Sequence, residues 1–201
     1  MAGFLSNFRN VIVVSLLLAV LFIVAFGYDA DRVNLAIAVL RWAHVVCGVL
    51  WIGLLYYFNF VQIRVMPNVP AELKPGITKY IAPEALFWFR WAALLTVVIG
   101  LALAWHRGYV VEALSLGFAG GYSAADTGFV FIGAGMWMGL VMMFNVWGFI
   151  WPAQKIALGI KDGTAEQKAA AAKKAMMFSR INTLLSLPML VTMTMYQTLF
   201  G

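Results

Sequence analysis

Leu35–Phe60 reads LAIAVLRWAHVVCGVLWIGLLYYFNF, 26 residues in which only Arg41 and His44 carry a basic group. At 1.5 Å rise per residue this run makes a helix of roughly 39 Å, longer than the ~30 Å hydrocarbon core of a bilayer. Lipid offers backbone amides no partner, so a segment of this kind spans as a helix that satisfies them internally. Four more runs share its character: Val11–Gly27, Leu86–Trp105, Gly128–Trp151 and Ile181–Leu199. The composition points the same way, with 64% hydrophobic residues, 11% charged residues and a mean hydropathy of +0.90, far from a soluble domain. The expected fold is all-α, a single domain over residues 1–201 built as an integral membrane bundle of five transmembrane helices.

Arg9 precedes the first run, as in a secretory signal, but no small-x-small cleavage site comes before Asp29, so the run reads as a retained span. Lys and Arg counts in the short loops set the orientation. Gln62–Ala85 carries Arg64, Lys74 and Lys79, and Pro152–Arg180 carries Lys155, Lys161, Lys168, Lys173, Lys174 and Arg180, against Arg32 and Arg107 on the other side. The amino terminus is therefore expected in the cytoplasm and the carboxyl terminus outside, in a bacterial inner membrane. The net charge of +6 sits mostly in these loops, where it meets anionic headgroups rather than nucleic acid. Cys47 is the one cysteine, so an intrachain disulfide is excluded, and the absence of Cys-x-x-Cys-His excludes covalently attached haem. The prolines at 67, 70, 75 and 83 predict a turn-rich loop over Asn68–Pro83. Thr164 predicts a cap from which the last helix starts well before the bilayer. Between His106 and Thr127 the pattern predicts a short interfacial helix from Val110, then a flexible turn at Gly120-Gly121, as a docking surface for an external partner.

An imidazole inside a span is costly unless it has a partner. Gly48 lies one turn beyond His44 and leaves space beside the ring, while Arg41 lies nearly one turn before it on roughly the same face. Together they suggest a pocket for a flat anionic cofactor, for which a b-type haem is the candidate, with His44 as metal ligand. The second ligand is left open between His106, at the external end of span three, and Met136, at nearly the depth of His44 in span four. Arg41 and Arg107 suit two propionates, and Trp51, with Trp42, Trp105 and Trp137, supplies apolar walls. Gly135, in the run Gly133-x-Gly135-x-x-x-Gly139, offers either a cofactor surface or a close helix-packing face.

Several stretches carry a family resemblance. Arg41-Trp42-x-His44-Val45-x-x-Gly48-x-x-Trp51-Ile52-Gly53-x-x-Tyr56-Tyr57 resembles the opening span of the membrane domain of the bacterial membrane-bound urate oxidase family. Ile81-Ala82-Pro83-Glu84 with Trp88-Phe89-Arg90-Trp91, the block from Gly133 to Lys155, and Ser179-Arg180-x-Asn182-Thr183-Leu184-x-Ser186-Leu187-Pro188 resemble its later blocks. The resemblance implies a redox membrane domain working with a cytochrome c, which that family carries fused at its carboxyl terminus. Ile132 stands where a second histidine of the pattern is expected. The residues therefore fit a haem-carrying subunit of a larger redox complex better than a urate oxidase.

Plainer readings stand beside these. A histidine in a span can simply bond a carbonyl of a neighbouring helix, interfacial tryptophans are anchors, and methionines fill gaps. Asn145 and Asn182 read as an interhelical hydrogen bond. No hydrolytic triad, phosphate loop or carboxylate pair is visible. The expected function is haem-based electron transfer within a respiratory or oxidase-like assembly, to or from a periplasmic cytochrome c, with other membrane subunits or further copies of the chain as partners. A haem-free accessory subunit is the rival, and a copper-handling protein using the methionines ranks last.

Overall fold

The computed structural model describes residues 2–121 and 127–200, and among these every regular element is a helix. Five helices are long and apolar enough to cross a membrane: α1 (Phe8–Gly27), α2 (Arg32–Asn68), α3 (Lys74–His106), α5 (Thr127–Ala157) and α6 (Ala165–Phe200). A five-residue α4 (Val110–Leu114) lies between α3 and α5. The chain divides into two compact units, Met1–Val39 and Leu40–Gly201. The first holds α1, capped by the Asn7 side chain on the Arg9 and Asn10 amides, and the opening turns of α2. No residue of α1 is buried, as befits a helix that is apolar all round.

In the second unit the core draws Trp51, Ile52, Leu55 and Phe58 from α2, Leu86, Phe89, Ala92 and Ala93 from α3, Met142, Val146, Ile150 and Ala153 from α5, and Ala171, Ala175 and Met189 from α6. Small residues let α5 and α6 approach closely: a Cβ on Gly135 would collide with the Thr192 hydroxyl. Asn145 Nδ2 donates to Asn182 Oδ1 at 2.9 Å, and Asn182 Nδ2 donates to the Met142 carbonyl at 2.9 Å, the interhelical bond expected of this pair. Tyr56 and Ser186 hydroxyls lie 3.1 Å apart and Asn59 donates to Ser179 at 2.8 Å, so α2 is tied to α6 by polar contacts in an apolar setting.

The helices are longer than hydropathy alone outlined, and the prolines explain how. The stretch expected as a turn-rich loop becomes helical already at Lys74, with Pro75 in the first turn, where a missing N–H costs nothing. The chain then widens into a π-helical segment, Ile77–Ile81, immediately before Ala82-Pro83. Another such segment, Val146–Ile150, stands immediately before Trp151-Pro152, while a third, Tyr57–Gln62 in α2, has no proline directly after it. Proline removes one helical bond and crowds the carbonyl four residues back; a turn bonded five residues back relieves both and lets the helix continue. At the far end α6 starts from a reciprocal cap, Gln167 N to Thr164 Oγ1 at 3.3 Å and Thr164 N to Gln167 Oε1 at 2.9 Å, as Thr164 foretold.

The interfacial helix expected near Val110 is α4, and it is docked rather than loose. Ala113 is buried, its carbonyl faces Gly133 where no Cβ stands, and Trp137 Nε1 donates to the Leu114 carbonyl at 2.9 Å. Where a flexible turn is expected at Gly120-Gly121, the chain makes a 3-10 turn, Phe118–Gly120, closed by the Gly121 amide on the Phe118 carbonyl at 3.2 Å, with Gly121 at a φ of 87°.

Candidate functional site

Trp51, Ile52 and Leu55 pack the inner turns of α2 tightly, whereas its outer turns stand beside a cavity of about 660 Å³. That volume falls within the roughly 300–1,000 Å³ of small-molecule and cofactor sites. One face of α2 lines it, from Arg41 through His44, Gly48 and Ile52 to Tyr56, a length of roughly 22 Å on the helix axis. Thr96, Gly100 and Arg107 line it from α3, Met136 and Gly139 from α5, and Met189, Met193 and Gln197 from α6. A Cβ on Gly139 would meet nothing within 4 Å although the residue itself is buried, so this glycine borders open space.

His44 reaches from α2 to α3. Its Nδ1 lies 2.8 Å from the Thr96 carbonyl oxygen, which can only accept, so Nδ1 carries the proton. The ring fits where Gly100 has no side chain: a Cβ there would lie 2.7 Å from Cε1 and 2.8 Å from Nδ1, with Nε2 farther off at 3.7 Å. Nε2 has no hydrogen-bond partner among the described residues, and the side chain borders the cavity. A neutral imidazole with one N–H fixed on a carbonyl and the other nitrogen free is the usual arrangement of a metal-ligating histidine. The plain reading, a histidine bonded to a neighbouring helix, holds for one nitrogen and leaves the second available.

At the end of the cavity near Arg41, Arg41 Nη1 donates to Gln197 Oε1 at 2.7 Å, while Arg107 makes no side-chain hydrogen bond among the described residues. Neither guanidinium has a carboxylate partner among those residues. Both charges bear on Tyr109, which lines the same end; burial and then the nearby Tyr196 hydroxyl push the Tyr109 phenol above its ordinary range, against the lowering by Arg107 and Arg41. Two cations without counter-ions beside a long apolar slot match a flat molecule with acidic groups on one edge.

The fold brings His44, Arg41, Gly48, Trp51, Arg107 and Met136 to this one cavity. It does not bring His106 or Gly135. His106 is exposed and its Nδ1 bonds the Ala102 carbonyl of its own helix at 2.8 Å, and Gly135 serves the α5–α6 contact with Thr192. Trp51 is 1% exposed, with an indole N–H that is buried and unpartnered, so it is more core than wall. Thr96 and Gly100 escaped the sequence reading, whereas Gly139 was read in the run from Gly133 as cofactor surface or packing face. A lone glycine in a span was the only signal for Gly100, and the Thr96 contribution comes from its backbone, which no side-chain pattern reveals. No group of three His, Cys, Asp or Glu residues clusters among the described residues, so any metal here would reach the chain through His44 with thioethers or a prosthetic ring. Comparison with protein-family models, with curated proteins and with solved structures finds no match for this chain.

Proposed function

We propose that the chain is a b-type haem subunit of a membrane redox assembly. The observation that carries this reading is His44, with Nδ1–H held by the Thr96 carbonyl and Nε2 unpartnered beside a cavity of about 660 Å³ whose one end is cationic. The residues fit the group: His44 would ligate iron, Arg41 and Arg107 would receive the propionates, Gly48 and Gly139 would leave room beside it, and Gly100 makes room for the His44 ring itself. Met136 borders the cavity and His106 does not, which favours a thioether over a second imidazole as sixth ligand. When bound, haem supplies one-electron exchange between ferric and ferrous iron. The chain's own part is to hold the imidazole in one tautomer, to exclude water with its apolar walls, and to offset the propionate charges with Arg41 and Arg107.

By the count of basic residues in the loops, the end with Arg41 and Arg107 faces outward, so the exposed haem edge would serve a periplasmic carrier such as a cytochrome c. The resemblance to the membrane-bound urate oxidase family supports the redox class, and urate itself is not part of the proposal. A haem-free accessory role is favoured by one feature, the wholly unburied α1, which suits a helix covered by lipid or by another subunit.

An absorption spectrum of the purified protein separates the two. A Soret band that shifts on reduction is expected, and His44→Ala should abolish it while leaving membrane insertion intact, since insertion follows hydropathy. A haem-replete preparation without that band, or an unchanged band in the variant, would overturn the proposal.

A further inference from the structure

Away from that cavity, between the middle of α3 and the last turns of α5, a second site takes shape around Trp151. The Arg90 guanidinium stands 4.0 Å from the centre of that indole and 5.2 Å from the Phe87 ring. Lys155 brings its ammonium to 5.8 Å from the same Trp151 ring. Trp147 fixes the backbone below, its Nε1 donating to the Arg90 carbonyl at 3.1 Å, and Trp91 meets Trp147 edge to face at 5.3 Å. Glu84, the acidic residue nearest in sequence, accepts instead from Trp88 at 2.9 Å. Neither Arg90 nor Lys155 has an ion-pair partner or donates a hydrogen bond among the described residues.

Two cations therefore contact one ring, and neither has an anionic partner among the described residues. Cation–π attraction holds each of them and leaves its charge unneutralised. Four tryptophans, Trp88, Trp91, Trp147 and Trp151, adjoin Arg90 in sequence or by contact, the residue type that forms the aromatic belt of a membrane interface, where lipid phosphates lie. The guanidinium lies near two rings and offers a planar fork of donors, suited to two phosphate oxygens, and Lys155 adds a point charge. We propose that Arg90 and Lys155 on Trp151 bind the phosphate of an anionic phospholipid. The π-helical segment Val146–Ile150 and Pro152 set the spacing that presents Trp147 to the Arg90 backbone and Trp151 to its side chain. This site is independent of the haem reading and would stand without it.

The test is the thermal stability of the purified full chain in detergent with added dioleoylphosphatidylglycerol, dioleoylphosphatidylcholine or inorganic phosphate. Phosphatidylglycerol should raise the unfolding temperature saturably, whereas phosphatidylcholine and inorganic phosphate should not. Arg90→Gln and Lys155→Gln should each weaken the phosphatidylglycerol effect at least roughly five-fold, the worth of about one interfacial cation. Arg64→Gln, an exposed cation away from these rings, should leave it unchanged. Should Arg90→Gln fail to fold, Arg90→Lys, which keeps the charge and loses the fork, replaces it with a smaller expected loss. An equal response to inorganic phosphate, wild-type affinity in the Arg90 and Lys155 variants, or an equal loss in Arg64→Gln overturns the assignment.

Discussion

Gly100→Ala probes the candidate site through the space that holds the His44 ring. The new methyl carbon would stand 2.7 Å from His44 Cε1 and 2.8 Å from Nδ1, well inside van der Waals contact, so the ring must retreat by roughly 0.7 Å or more to reach ordinary carbon separations. Retreat breaks or lengthens the 2.8 Å bond to the Thr96 carbonyl, leaving Nδ1–H without its partner and the ring without its fixed orientation. Loss of such an outer partner lowers metal affinity by about 10- to 100-fold, or ~1.4 to 2.7 kcal/mol. The opposing effect is the helix propensity of alanine, better than glycine by ~0.8–1 kcal/mol, but it acts on the haem-free and haem-bound forms alike and does not restore affinity. The variant should therefore insert and fold normally while binding haem about 10- to 100-fold more weakly, read as a Soret titration of the haem-free protein. Wild-type affinity with unchanged bands would mean that the His44 ring position does not govern binding, and the site as drawn would fail.

Other expectations follow from single contacts. Met136→Leu should alter the visible bands of the reduced protein and His106→Ala should leave them unchanged, because His106 bonds its own helix; a reversed pair of spectra would reassign the sixth ligand. Arg41→Gln and Arg107→Gln should each move the midpoint potential to more negative values in a redox titration, since removing a nearby positive charge favours the oxidised, more cationic iron; unchanged potentials would remove the propionate assignment. Asn182→Leu should lower thermal stability by about 0.6–2 kcal/mol, through the Asn145 amide and Met142 carbonyl that it leaves without partners; no shift in the melting curve would contradict the buried pair.

Much of this was readable before any coordinates. The number of crossing helices followed from hydropathy, because the cost of exposing backbone amides to lipid depends on each segment alone. Thr164 announced the start of α6 for a similar reason, since its partner Gln167 is only three residues away. Arg41, His44 and Gly48 shared a face because helical geometry places residues three and four apart together.

What the sequence left undecided concerns which faces meet. These helices are apolar nearly all round, so no stripe marks the side turned to a neighbour, and Gly100 could not be paired with His44 across 56 positions of chain. His106 had as good a claim on the site as Met136 until the helix rotation turned it towards its own Ala102 carbonyl. The prolines at 67, 70, 75 and 83 read as helix breakers, yet the helix runs on from Lys74 through a widened turn at Pro83, as it does at Pro152. Local chemistry thus determined the spans, the cap and the histidine of interest. The tertiary structure decided that the histidine has one nitrogen spoken for and one facing a cavity, because that depends on a backbone carbonyl and a missing Cβ on another helix.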